Sequence, residues 1–436
     1  MTFRRALTAT ALAAALVAAA VVTGAGSAPA AGPVGSGTAS ATKSVCGLGN
    51  GKKATGSPIK IGAIATKQAG TDFTDIPNMA NAYFKCVNAN GGIYGHKIQY
   101  SIQTEQTDPA QIAALAKKLV GSGVVAIVGN TSLIECSVDH KYWEKLGYYV
   151  IDSGIAPECY STSHSAAVNM GPRYSSDGAA QYVISQKVDK IVFDQSNVPG
   201  AGYNSGGVEL IAKANKIPEQ SLTDDVPIQD ANSVALKLVQ AAGKNGGVVL
   251  NFTPDQAALI LQAAQKQNLE NSVKAWACST PCNSDFLAQS LGSAWNGKLG
   301  VNAELNLPSA SGPDSALYRQ IIAAYKPSLA FGLGSFSQMG FVEARVAVAA
   351  LLSLPKGSKY TVKTVNTAIV NVKNYKTDVL CKPWYYGKAP LHIPNNTDRT
   401  VTPNNGKMVV KQNCFAISAQ DPAIAKVRLI EKKQGK

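Results

Sequence analysis

The chain has 436 residues, with 41 Lys+Arg against 27 Asp+Glu, and it is 45% hydrophobic but only 16% charged. That length suits two or three domain-sized units, and a hydrophobic share near one half excludes a disordered chain. The formal net charge of +14 makes a polyanion, nucleic acid first, the partner class to test.

Residues 1–30 read as a secretory signal. Arg4 and Arg5 form the charged start, an Ala/Leu/Val/Thr run over 6–22 forms the apolar stretch, and Ala28-Pro29-Ala30 offers the small residues a signal peptidase reads. Cleavage is expected near Ala30. The Pro/Gly/Ser/Ala-rich stretch that follows at once argues against a membrane anchor, and 31–56 reads as a linker. Lys43-Ser44-Val45 before Cys46 lacks the small-apolar pattern of a lipidation site, so a lipoprotein is not expected. The predicted product is exported, to a periplasm or cell envelope. Removing Arg4 and Arg5, with no acid in the leader, takes the charge from +14 to +12.

Export changes how the cysteines read. Cys46, Cys86, Cys136, Cys159, Cys278, Cys282, Cys381 and Cys414 all follow the leader, and an even count in an oxidising compartment favours disulfides. Eight cysteines allow about 105 pairings. Nearest-neighbour pairing gives 46–86, 136–159, 278–282 and 381–414, each closing a local loop. Zinc is disfavoured because no CxxC pair occurs and only His140 lies near a cysteine at a useful spacing. No metal and no cofactor are expected.

After the linker the pattern alternates. An apolar strand is predicted over 59–65, and Met79, Ala80, Tyr83, Phe84 and Val87 at helical spacing predict a helix over 76–90 that Gly91 and Gly92 stop. A strand over 97–103 follows. Asp108-Pro109 supplies an N-cap and a proline in the first helical position, opening a helix with Ile112, Leu115, Ala116, Leu119 and Val120 on its buried face. Strand 124–128, helix 133–146 and strand 148–152 complete the first set. A second set runs from helix 177–186 through strand 190–194, helices 206–215 and 232–242, strand 247–251 and helix 254–267 to strand 273–278. Parallel strands need crossover helices, so this order predicts an α/β protein of two doubly wound parallel-sheet lobes.

In open parallel sheets, ligands lie beyond the carboxyl ends of the strands. That rule selects 66–70, 130–132 and 152–157 in the first lobe, and 195–202, 251–255 and 279–282 in the second. Thr131 and Ser132 open a helix, where hydroxyls and free backbone N–H groups hold a carboxylate, or else simply cap it. Ser153 follows a strand in the same way. Asp255 offers an acid to a ligand ammonium, although Thr253-Pro254-Asp255 is equally a good helix start. No G-x-S-x-G elbow, H-E-x-x-H helix or G-x-x-x-x-G-K loop occurs, so a binding protein is expected instead of an enzyme. Trp384-Tyr385-Tyr386 reads as core packing beside a cysteine pair in preference to a ring-stacking site, within a stapled loop or extra hairpin.

The segments IKIGAIA, NANGGIYG over 88–95, Asp108-Pro109, Lys118-Leu119-Val120 and VVAIVGNTS over 124–132 resemble the first lobe of type I periplasmic solute-binding proteins. They most resemble the branch of leucine/isoleucine/valine receptors of ABC transporters. YYVIDSGIAP, NFTPDQAALILQAAQKQNL and FSQMGFVEARVAVAALLSL extend the likeness over most of 57–355. The resemblance implies two lobes joined by three crossovers, the first 57–171 plus 286–378 and the second 172–285 plus 379–436. It implies a protein that captures a small polar solute, amino-acid-like or bearing a carboxylate or amide, for an ABC transporter membrane permease, with an extracytoplasmic ligand sensor of the same fold, or else a secreted enzyme, as the alternative; a monomer is expected. The first-lobe carboxylate loop falls on Asn130, Thr131 and Ser132, the second loop on Ser153, Gly154, Ile155 and Ala156, and the ammonium-binding acid on Asp255. One departure stands out: VPGAG puts Pro199 where the family often has an aromatic, and Tyr203 comes four residues later.

The charge excess is local. Lys356, Lys359, Lys363, Lys373, Lys376, Lys382 and Lys388 face one acid, Asp378, across 355–388, which carries half of the +12. A solvated face, not a nucleic-acid footprint, is the expectation.

Overall fold

The computed structural model describes residues 45–436, so the leader and the first part of the linker lie outside the described residues. Its architecture is the predicted one: two mixed sheets, mainly parallel, with alternating helices. The first sheet has six strands. Strand Gly56–Gln68 pairs in parallel with His96–Glu105 on one side and Ala126–Asn130 on the other. Val150–Asp152 and Ser165–Ala167 continue the sheet, and the short Thr71–Asp72 folds back antiparallel on the end of the first strand. The predicted cap at Asp108 is present: its carboxylate accepts from the N–H groups of Ala110 and Gln111 at 2.8 and 3.2 Å, with Pro109 in the first turn.

Helices Asp75–Ala89 and Ser335–Leu352 pack on each other beneath this sheet. Gly340 is required there, because a Cβ at that position would lie 1.9 Å from the Ile76 carbonyl oxygen. Edge-on ring pairs Phe73–Phe336 and Tyr83–Phe341, each with centroids 5.6 Å apart, lock the contact.

The second sheet has seven strands. Glu219–Asp224, Ile191–Ser196, Gly247–Asn251, Ala275–Cys278 and Leu299–Asn302 are parallel, and Thr397–Asn404 and Lys407–Ala416 add an antiparallel hairpin at the edge. Glu219–Asp224 was not anticipated. It is an edge strand of sequence EQSLTD whose residues are all at least partly exposed, so it carries no run of buried apolar residues.

Two expected boundaries move. Leu299–Asn302 pairs in the second sheet, so the chain leaves that sheet after Asn302 and not at residue 286. Residues 379–386 bridge the two sheets instead of belonging to the second alone: Cys381 is bonded to Cys414 of the edge hairpin, while Trp384 Nε1 donates to the Ala167 carbonyl at 2.9 Å and the Tyr386 hydroxyl to the Val150 carbonyl at 3.0 Å in the first sheet. Both rings are fully buried, which bears out core packing for this aromatic cluster. The chain then crosses back into the edge hairpin and ends in helix Pro422–Lys433. The cap of that helix, Asp421, pairs with Arg173 at 2.8 Å, tying the carboxyl end to helix Gly171–Ser185.

The four disulfides are the nearest-neighbour pairs: Cys46–Cys86, Cys136–Cys159, Cys278–Cys282 and Cys381–Cys414. Among the described residues no cysteine is free, and no helix is long and apolar enough to cross a membrane.

Candidate functional site

A cavity of about 90 Å³ opens where the strand ends of the two sheets face each other. By the volume one water needs, it holds several waters or a small solute. The first sheet contributes Thr71, Thr131 and Ser153, and the second contributes Gln195, Asn251 and Thr280. Phe73, Ile76, Leu133, Ile155, Val198, Phe252, Phe336 and Met339 make most of the wall apolar, and the segments that pass between the sheets add Asn169, Gly171 and Glu304. The lining holds no lysine or arginine.

The predicted site residues divide. Thr131, Ser153 and Ile155 line the cavity, and the Thr131 hydroxyl is buried without a hydrogen-bond partner. Asn130 lies one residue behind, where its Oδ1 accepts from the Ile64 N–H at 2.8 Å and holds two strand ends in register. Ser132 is a cap: its hydroxyl accepts from the N–H groups of Ile134 and Glu135 at 3.3 and 3.1 Å. Gly154 supports the wall through its carbonyl, which accepts from Asn169 Nδ2 at 2.9 Å and the Tyr160 hydroxyl at 2.7 Å. Ala156 packs around the Cys136–Cys159 disulfide. Tyr203 does not line the cavity. Its ring lies 4.8 Å from the Arg173 guanidinium and its hydroxyl meets that of Tyr174 at 3.0 Å.

Asp255 is also outside the lining. Its Oδ2 accepts from Gln256 Nε2 at 2.7 Å in the first turn of helix Pro254–Lys266, so the helix-start reading describes its position. The carboxyl in the cavity wall is Glu304, which sequence reasoning missed. It sits just past a strand of the second sheet, in a segment without strand or helix periodicity, and nothing in its neighbours' spacing marks it. Burial pushes its acid up to about 8, against hydrogen bonds from the Met170 N–H and the Thr280 hydroxyl that pull the other way. At neutral pH it therefore carries a proton.

Hydroxyl groups around the cavity direct their protons inward, into the protein. Ser153 donates to Glu343 at 2.5 Å, Ser175 to Thr280 at 2.8 Å, and Ser279 to Asn251 at 2.8 Å. Glu343 is itself buried and its acid is held above the usual carboxylate range, chiefly by burial. Gln195 donates its amide to the Ala201 carbonyl at 2.8 Å and leaves Oε1 buried and unpartnered.

A family model described as periplasmic binding protein matches residues 58–406. The fold is similar to a fatty acid ABC transporter substrate-binding protein from Thermomonospora curvata, 18% identical with TM-score 0.71, covering 86% of this chain and 96% of that one. It is similar to a branched chain amino acid ABC transporter protein from Thermus thermophilus with bound valine, 14% identical with TM-score 0.73, over 85% and 99% of the two chains. A solute binding protein from R. palustris in complex with benzoate is 14% identical with TM-score 0.67, over 83% and 98%. Comparison with curated proteins by sequence gives no match.

Proposed function

This chain belongs to the periplasmic binding protein family, and on that premise we propose that it captures a small solute between its two sheets and hands it to the membrane permease of an ABC importer. The solute is amino-acid-like or bears a carboxylate or amide, on an apolar body. The observation that carries the reading is the cavity itself: a single cleft is walled by strand ends from both sheets and by the segments that pass between them. A ligand there is held between the two sheets, and closing them on it registers occupancy through its differential affinity for the closed form.

Thr131 and Ser153 hold the polar end from the first sheet and Gln195 and Thr280 from the second, with Phe73, Phe252 and Phe336 around the apolar body. The solute leaves unchanged, and the receptor acts as a monomer outside the cytoplasm. Thermal-shift screening of amino acids, amides and organic acids tests this. Hits are expected to raise the melting temperature and to be recovered intact by mass spectrometry, and Thr131→Val is expected to weaken them about fivefold to tenfold, the loss of one hydrogen bond. A panel without any stabilising solute, or a bound solute recovered chemically altered, overturns the reading.

A further inference from the structure

We infer that Glu304 is the ligand-reading acid of this cavity, accepting from an ammonium or amine end of the solute and releasing its own proton as that cation enters. The inference rests on the solute-receptor reading above and names the ligand chemistry of the same cavity.

Three observations converge. First, the lining includes one carboxyl and no lysine or arginine, while Asp255 faces elsewhere. Second, several polar groups around the cavity turn acceptors toward it. The Ser153 and Ser175 protons are donated inward, and Gln195 Oε1 is buried without a partner. A wall that presents acceptors is complementary to a ligand that presents N–H donors. Third, Glu304 is anchored by two donors, the Met170 N–H and the Thr280 hydroxyl, which fix the carboxyl whether or not it is ionised.

The titratable side chains set against Glu304 are Asp398, from strand Thr397–Asn404, and Tyr160, from helix Glu158–Ser161. Burial pushes the Asp398 acid well above the usual carboxylate range and the Tyr160 hydroxyl well above its ordinary value. No cation therefore compensates Glu304 directly. It stays protonated until a ligand cation arrives, and the charge of the cavity is then unchanged: RNH3+ enters, the carboxyl becomes carboxylate, and one proton leaves for solvent. Because the carboxyl lies in the stretch that leaves the second sheet, the ligand charge is met where the two halves of the protein join.

The test uses the purified protein and matched probes on one apolar body: leucine, isoamylamine, which keeps only the ammonium, and 4-methylpentanoate, which keeps only the carboxylate. The same trio on a benzyl body is run in parallel. Calorimetry in two buffers of different ionisation enthalpy counts protons. Amine-bearing probes are expected to bind about tenfold tighter per pH unit between pH 6 and 8, with close to one proton released. Glu304→Gln, which keeps the acceptor for Met170, is expected to abolish that slope and weaken amine binding at least tenfold at pH 8. Asp255→Asn is expected to change neither. Carboxylate probes that bind without the ammonium and weaken as pH rises would overturn the inference while leaving the receptor reading intact. So would an amine slope that survives Glu304→Gln. Failure of every amine, acid and amide to bind would take the receptor reading down with it.

Discussion

The strand-end loops and the segments that pass between the sheets build the same cavity by different means. The loops at Thr131, Ser153, Gln195 and Thr280 follow regular strands, so a general rule of parallel sheets predicts their location. The passing segments, around Asn169 to Gly171 and at Glu304, obey no period, yet they carry the cavity's one carboxyl. Regular elements thus deliver neutral hydrogen-bonding groups to the cleft, and irregular ones deliver its ionisable group. A chain that must be extended and buried at once has little room for a repeated pattern. Its polar side chains are satisfied individually, as Asn395 shows by reaching the carbonyls of both Val168 and Glu304, at 3.1 and 3.3 Å.

The largest expected effect that probes this contrast is on stability against pH. Burial holds Glu304 and Glu135 at about 8, Asp194 at about 8 and Asp152 at about 7. These acids bind protons in the folded state that the unfolded chain has already lost. Their contribution is complete below the ordinary carboxylate range and is lost as pH rises toward 8. One raised unit corresponds to about 1.4 kcal/mol, so four such groups outweigh any single substitution considered below. Melting temperature is expected to fall steadily from pH 5 to pH 8.5. Glu304→Gln should flatten part of that fall. If the full slope remained, the pH dependence would belong to the acids of the regular elements, Glu135, Asp152 and Asp194, and the contrast between the two regions would fail.

A smaller effect, still several kcal/mol, tests whether the stretch after residue 370 belongs to the first half of the molecule. Trp384 is fully buried against the first sheet, and its indole N–H is bonded to Ala167. Trp384→Ala is expected to cost about 3–5 kcal/mol in chemical denaturation, through the lost transfer energy and the cavity left behind. A loss under about 1 kcal/mol would mean that this stretch is an appendage and not core.

How much could be read beforehand follows the same division. The helix started by Asp108-Pro109 and the strand-end positions of Thr131 and Ser153 were legible, because each depends on local spacing, whereas the cysteine pairing was one of many the sequence allowed, and the nearest-neighbour set is the one the structure holds. The edge strand Glu219–Asp224 was not, since partial exposure along its whole length removes the alternation that marks a strand. Asp255 and Glu304 are the instructive pair. Asp255 stands at a helix start after a strand, a position that invites a functional role, and the side chain turns to Gln256. Glu304 has no such flag, because what makes it part of the cavity is tertiary: Met170 and Thr280, far away in sequence, hold it there. Tyr203 fails in the opposite way, drawn off by Arg173, which pairs with Asp421 near the far end of the chain.

The smallest expected effect concerns the lysine-rich stretch. Lys382 is not part of a solvated face: it pairs with Glu431 at 2.6 Å, and Glu431 also accepts from the Tyr385 hydroxyl at 2.8 Å. Lys356, Lys359, Lys363 and Lys376 are exposed, and none lines the cavity. Exposed charges separated from a buried site are screened within about 8–10 Å at ordinary ionic strength, so their field at Glu304 is weak. Replacing these four by glutamine is expected to change stability by no more than about 0.5 kcal/mol and to leave solute affinity and its pH slope unchanged. Lys382→Gln added to the set should behave differently, since it strips the buried Glu431 of its cation and destabilises the docking of the last helix. A shift in the pH slope from the four exposed changes alone would show that the acid of the cavity senses the charged surface, and that its protonation is not set by burial.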